Sequence, residues 1–92
     1  MKLDIVTPEG VLFSGEVDSV LAPGVFGEFE ILNNHAPIVS ILQKGLLRIK
    51  GAEIKIEDEQ KDKFDFSDGE AHLPINSGTI EMKNNKVIIL AE

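Results

Sequence analysis

The sequence predicts an all-β fold, a flattened antiparallel β-sandwich or barrel built from short strands. Three observations predict it. Apolar and polar residues alternate with a period of two along much of the chain, which sends one side of each strand inward. Turn signals punctuate the chain at short intervals: Pro8-Glu9-Gly10, Pro23-Gly24, Asn33-Asn34, Lys44-Gly45, Gly51, Asp68-Gly69 and Asn84-Asn85. No apolar stripe at i, i+3, i+4, i+7 lasts long enough to require a helix.

Taken in order, Phe29 and Ile31 point inward between Glu28 and Glu30, and Leu47 and Ile49 point inward beside Arg48 and Lys50. Ile54 and Ile56 alternate with Glu53, Lys55 and Glu57, and Phe64 and Phe66 flank Asp65 in the same way. Ile80 and Met82 follow the same rule. Ile38–Leu42 and Val87–Leu90 are apolar runs of strand length. Residues 57–65 mix charges of both signs and read as a solvated loop or strand end.

Two hairpins can be drawn residue by residue. A two-residue loop at Gly51-Ala52 would set Lys50 opposite Glu53, Ile49 opposite Ile54 and Leu47 opposite Ile56. It would also set Arg48 opposite Lys55, a like-charge pair costing up to about 1 kcal/mol. A turn at Asn84-Asn85, two residues that tolerate positive φ, would set Met82 opposite Val87 and Ile80 opposite Ile89. The other face of that last strand carries Ile88 and Leu90. Because sandwiches hide both faces of central strands, a second sheet or the chain end is expected to cover them. The alternative is a surface awaiting a partner.

The chain has 92 residues, enough for one domain, 1–92, with one modest core. Nine basic and 16 acidic residues leave a net charge of −7, which disfavours nucleic acid and anionic lipid and favours basic partners. The absence of Cys removes disulfides and thiolate chemistry. With no long apolar run and no signal-like N-terminus, the expected class is a soluble intracellular protein, held at a membrane only through another protein.

No catalytic constellation emerges. His35 and His72 are too few for a metal site and read as turn or surface histidines. Gly24-Val25-Phe26-Gly27 lacks the Lys-Ser/Thr of a phosphate loop. No serine has a nucleophile context, and a chain without Trp or Tyr offers no stacking platform. Neither a metal nor a cofactor is expected. Lys83 beside the Asn84-Asn85 turn admits an alternative, since biotinyl and lipoyl carriers are sandwiches that present a modifiable Lys at a hairpin tip. A generic adaptor sandwich is the third reading.

The segments Val6-Thr7-Pro8-Glu9-Gly10, Phe13-Ser14-Gly15-Glu16-Val17 and Pro23-Gly24-Val25-Phe26-Gly27-Glu28-Phe29, followed by Leu32-Asn33-Asn34-His35-Ala36-Pro37, carry a resemblance. Together they resemble the N-terminal β-sandwich domain of the ε subunit of F-type ATP synthase, in order and over Leu3 to Ala91. The sequence departs from the family at Glu30, where Gly is usual, at Asn33-Asn34 in place of Pro-Gly, and at Ser77-Gly78-Thr79 in place of Gly-Gly-Phe. The resemblance covers the family's β-sandwich and not its C-terminal helical hairpin, as in a short form or a truncated chain, so the regulatory role of those helices is not carried over.

The resemblance implies a non-catalytic rotor subunit in the central stalk, joining the γ subunit to the membrane c-ring and coupling ion flow to ATP synthesis. The implied contacts are Glu28, Phe29 and Glu30 toward the c-ring and Thr7, His35 and Ser40 toward γ. The implied place is the cytoplasmic face of a bacterial plasma membrane, peripheral and without direct insertion. One copy per complex, and a monomer when isolated, are the corresponding expectations.

Overall fold

The computed structural model describes residues 1–52 and 54–92. Among the described residues ten strands run in chain order: β1 Lys2–Thr7, β2 Gly10–Glu16, β3 Ser19–Gly24, β4 Gly27–Leu32, β5 Ile38–Leu42, β6 Gly45–Lys50, β7 Asp65–Ser67, β8 Glu70–Ile75, β9 Gly78–Lys83 and β10 Lys86–Ala91. A short 3-10 helix, Asp58–Lys63, precedes β7. The strands form one curled sheet in the order β2-β1-β10-β9-β5-β3-β6-β8-β7, with β4 paired to β3. All pairings are antiparallel but one: β1 and β10 run parallel, Ile5 beside Ile89.

Period-two alternation becomes rows of side chains across the sheet. Phe13, Ile5, Ile89, Ile80 and Ser40 stand in register across β2-β1-β10-β9-β5. Ile31, Val20, Ile49, Ala71 and Phe66 do the same across β4-β3-β6-β8-β7. The two rows belong to the two halves of the curled sheet, and all their apolar members except Phe66 are buried in one core. Between Ile5 and Val6 the register with β2 slips, and the extra residue lets both Leu12 and Phe13 face the core.

The Asn84-Asn85 hairpin forms as its sequence dictates. Both asparagines take positive φ, 52° and 58°, and Met82 faces Val87 while Ile80 faces Ile89. Asn34 also takes positive φ (62°), so Asn33-Asn34 does bend the chain. This turn is tied to its surroundings. The Asn34 N–H donates to Asn85 Oδ1 (2.8 Å), and Asn33 Oδ1 accepts from the N-terminal ammonium.

The Gly51-Ala52 hairpin does not form. β6 pairs with β8, Leu47 facing Leu73 and Ile49 facing Ala71, and its other edge meets β3. The predicted Lys50–Glu53 pair lies outside the described residues, and Lys50 Nζ instead meets Glu70 Oε2 at 3.2 Å. Arg48 faces His72, which removes the predicted like-charge contact with Lys55. The longer excursion wins because β8 offers six paired residues and a buried apolar partner for each inward residue of β6. The linker still delivers Ile56 and Phe64 to the core, while the charged stretch between them winds into the 3-10 helix with none of its residues buried.

Other corrections are local. Pro23 and Gly24 end β3, and the turn falls two residues later at Val25-Phe26. Phe66, predicted to face inward, is 58% exposed, because β7 is the last strand of the path and nothing lies beyond it to cover the ring.

Candidate partner-binding surfaces

The turns gather at two ends of the sheet. One end carries the β1–β2 turn at Pro8-Glu9, the β3–β4 turn at Val25-Phe26, the β5–β6 link at Gln43-Lys44 and the β8–β9 turn at Asn76-Ser77. The other carries Asn33–His35 and Asn84-Asn85.

On the outer face of the β2-β1-β10-β9-β5 half one row is largely apolar, beside a mixed row of Ser14, Asp4, Ile88, Glu81 and Val39. Val11, Val6, Leu90, Thr79 and Ile41 form a row in register across all five strands. Val11, Leu90 and Ile41 are exposed, and Val39 on the next row is 76% exposed. Among the described residues nothing covers Leu90 as expected, while Ile88 on the same face is half-buried. Leu90 is 54% exposed because one sheet curls over one core and leaves its outer face to solvent. The row opens at the first end into a groove of about 530 Å³ lined by Val6, Thr7, Pro8, Ile41, Thr79 and Leu90. Gly78 shapes it: a Cβ there would stand 2.5 Å from the Leu90 carbonyl oxygen, so only glycine lets β9 and β10 approach so closely.

The structure separates the three positions expected to face γ. Thr7 lines the groove, its Oγ1 donating to the Gly10 carbonyl (3.2 Å). Ser40 sits opposite Ile80, on the core side of β5 and half-buried. His35 is exposed in the β4–β5 link at the other end, its Nδ1 2.7 Å from the Ala36 carbonyl oxygen. The positions expected to face the ring stay together. Glu28 and Glu30 are exposed on β4 while Phe29 packs partly against the core. Among the described residues no cation forms an ion pair with either acid.

The outer row was visible in part. Val39 and Ile41 lie in a run that is apolar on both faces, as Ile88 and Leu90 do, and a strand of that kind signals two covered faces or one awaiting cover. Val11 carried no such signal.

Lys83 is exposed at the end of β9. Among the described residues, no group of three or more His, Asp or Glu side chains could hold a metal ion, and no helix is long and apolar enough to cross a membrane. One carboxylate has a distinctive environment. Half-buried Glu70 lies 2.8 Å from half-buried His72 Nε2 and 3.2 Å from Lys50 Nζ. The hydrogen bond to His72, then that to Lys50, holds its pKa below the usual carboxylate value. A carboxylate with a folded pKa below its unfolded one stabilises above the unfolded value and loses that contribution as pH falls through the folded one. Glu70→Gln is therefore expected to lower the urea midpoint at pH 7, and the difference from the parent should shrink as pH drops below about 4.

With this geometry in place, comparison with known proteins gives a consistent result. A family model described as ATP synthase, Delta/Epsilon chain, beta-sandwich domain, matches residues 1–92. The ATP synthase epsilon chain of Chlorobium limicola is 41% identical over 99% of this chain and 88% of its own length. That of Desulforamulus reducens is 41% identical over 99% of this chain and 58% of its own. That of Helicobacter pylori (strain ATCC 700392 / 26695) is 37% identical over 100% of this chain and 63% of its own. The chain thus spans most of the first relative and under two thirds of the other two.

In fold, the chain is similar to one in the central stalk/c-ring structure of Tetrahymena thermophila mitochondrial ATP synthase, at TM-score 0.75 and 15% identity, over 99% of this chain and 62% of that one. A chain of the Euglena gracilis mitochondrial OSCP/F1/c-ring assembly also gives TM-score 0.75, at 18% identity, over 97% of this chain and 48% of that one. These findings replace the carrier and generic-adaptor readings: the chain belongs to the ATP synthase delta/epsilon chain family and is built as its beta-sandwich domain.

Proposed function

We infer that this chain is a non-catalytic part of the central stalk of a rotary ATP synthase. It holds the γ shaft through the outer face of β2-β1-β10-β9-β5 and meets the membrane c-ring through the β3–β4 hairpin. The observation that carries the reading is the row Val11, Val6, Leu90, Thr79 and Ile41, an apolar strip five strands wide with a groove at its end. A partner seated there would bury side chains that water now covers, and a stable grip needs about 1,200 Å² of total buried surface. Thr7, in the groove, belongs to this contact, whereas Ser40 on the core side of β5 and His35 at the opposite end of the sheet are not assigned to it.

Toward the ring, Glu28 and Glu30 offer two free carboxylates, with Phe29 anchored inward between them. A rim carboxylate of this kind sets orientation and association rate more than affinity. The net charge of −7 suits a cationic ring surface. The chain would then lie on the cytoplasmic face of a bacterial plasma membrane, in one copy per complex and without entering the bilayer.

Two measurements test this. Tagged chain co-expressed with the γ subunit of its own organism should retain γ at one to one. Recovery of the chain alone would contradict the reading. In membranes carrying Glu28→Lys, ion-driven ATP synthesis should fall several-fold while the melting temperature of the isolated chain stays unchanged. Undiminished synthesis would remove Glu28 from the ring contact.

A further inference from the structure

We propose that Phe26 is an apolar pin at the tip of the β3–β4 hairpin that docks, beside Glu28, against a guanidinium-bearing loop of the rotor ring. The proposal rests on the ring-facing reading of Glu28 and adds a residue to it.

Phe26 is 102% exposed, more than any other large apolar residue of the described chain, and its neighbour Val25 is 41% exposed. The turn does not require either residue. Tight turns favour Asn, Asp and Gly because those residues supply positive φ or local hydrogen bonds. Here Gly27 alone takes the positive φ, 124°, so Val25 and Phe26 carry no backbone duty.

Nor is Phe26 on a segment that can fold back over its own surface. The Val25 N–H donates to the Ile41 carbonyl (3.2 Å) and the Gln43 N–H to the Pro23 carbonyl (2.9 Å). On the other arm, the Phe29 ring packs so close to Gly24 that a Cβ there would stand 2.8 Å from it. The tip is braced on both sides, and the ring is held out in water.

The occupant follows from charge and chemistry. Glu28 lies two residues from Phe26 on the same hairpin, Glu30 four, and neither acid has an ion-pair partner among the described residues. An aromatic side chain on the same short hairpin as free carboxylates is complementary to a cation with an apolar, planar surface. Guanidinium fits better than ammonium, because it is less strongly hydrated, stacks on aromatic rings and pairs with carboxylates through two N–H groups. The ring would be desolvated by the loop while the carboxylate fixes its register.

The test compares three single variants, Phe26→Ala, Phe26→Trp and Glu28→Lys. Each is assembled with γ and measured for binding to the purified ring in nanodiscs and, separately, for binding to γ. Phe26→Ala should weaken ring binding about tenfold, leave γ binding and the melting temperature unchanged, and be rescued by Phe26→Trp. If Glu28→Lys abolishes ring binding while Phe26→Ala leaves it intact, the pin is refuted and the ring-facing hairpin survives. If neither variant alters ring binding, both readings fall together. A loss confined to γ binding would also overturn the proposal.

Discussion

An Ile41→Glu/Leu90→Glu double variant should fold like the parent and lose the γ subunit. Both side chains already stand more than half in water, at 62% and 54% exposure, so folding draws little on them. They sit in one row on either side of Thr79, Leu90 at the centre and Ile41 at the β5 end of the strip proposed to hold γ. Carboxylates there cost little in the free chain, where water solvates them, and a great deal under a partner that excludes water. The expected effect is a loss of γ affinity of at least about a hundredfold, or about 2.8 kcal/mol at 1.4 kcal/mol per decade. Calorimetric titration reads the affinity and a thermal melt reads the fold. A double variant that melts normally and binds γ as tightly as the parent would show that the strip is not the contact.

The largest effect on stability is expected from Ile89→Ala. Ile89 has no exposed surface and stands in the central strand of its half-sheet, between Ile5 of β1 and Ile80 of β9. Truncation removes buried methyl groups on a sheet pinned from both sides, which leaves a cavity that cannot readily close. Such substitutions cost about 2–5 kcal/mol. At about 4–8 °C per kcal/mol for a chain of this size, the melting temperature should fall by about 8–40 °C. A drop of only a few degrees would mean that β1 and β10 pack less tightly than their register implies. Together the two variants separate the faces of one sheet, the inner holding the fold and the outer holding the partner.

How much of this was legible in the sequence depended on the range of the interaction. The β9–β10 hairpin is specified locally, by two asparagines with the alternation of β9 before them and the apolar run of β10 after, and it formed in the predicted register. The face of Leu47 and Ile49 was equally legible, since alternation alone decides it. Their partner was not. Alternation says which side of a strand is apolar and nothing about which strand lies next to it, so a nearby candidate at Ile54 and Ile56 displaced the true one at Ala71 and Leu73.

The parallel β1–β10 pair joins the two ends of the described chain and leaves no local mark. The site divides in the same way. Free carboxylates at Glu28 and Glu30 follow from alternation on β4 and from the resemblance. The outer strip needs the order of five strands, and only the assembled sheet sets Val11, Val6, Leu90 and Ile41 in one row.

The most direct test of the account is a methyl NMR titration of the labelled chain with unlabelled γ. The methyl signals of Val11, Leu90, Val39 and Ile41 should shift or broaden together as γ is added. Leu32 on β4 is exposed to the same degree as Leu90, 54%, and serves as the control. If Leu32 stays still while the outer strip responds, the sheet grips its shaft as described. Response at Leu32 with Leu90 and Ile41 silent would place γ on another face and contradict the account.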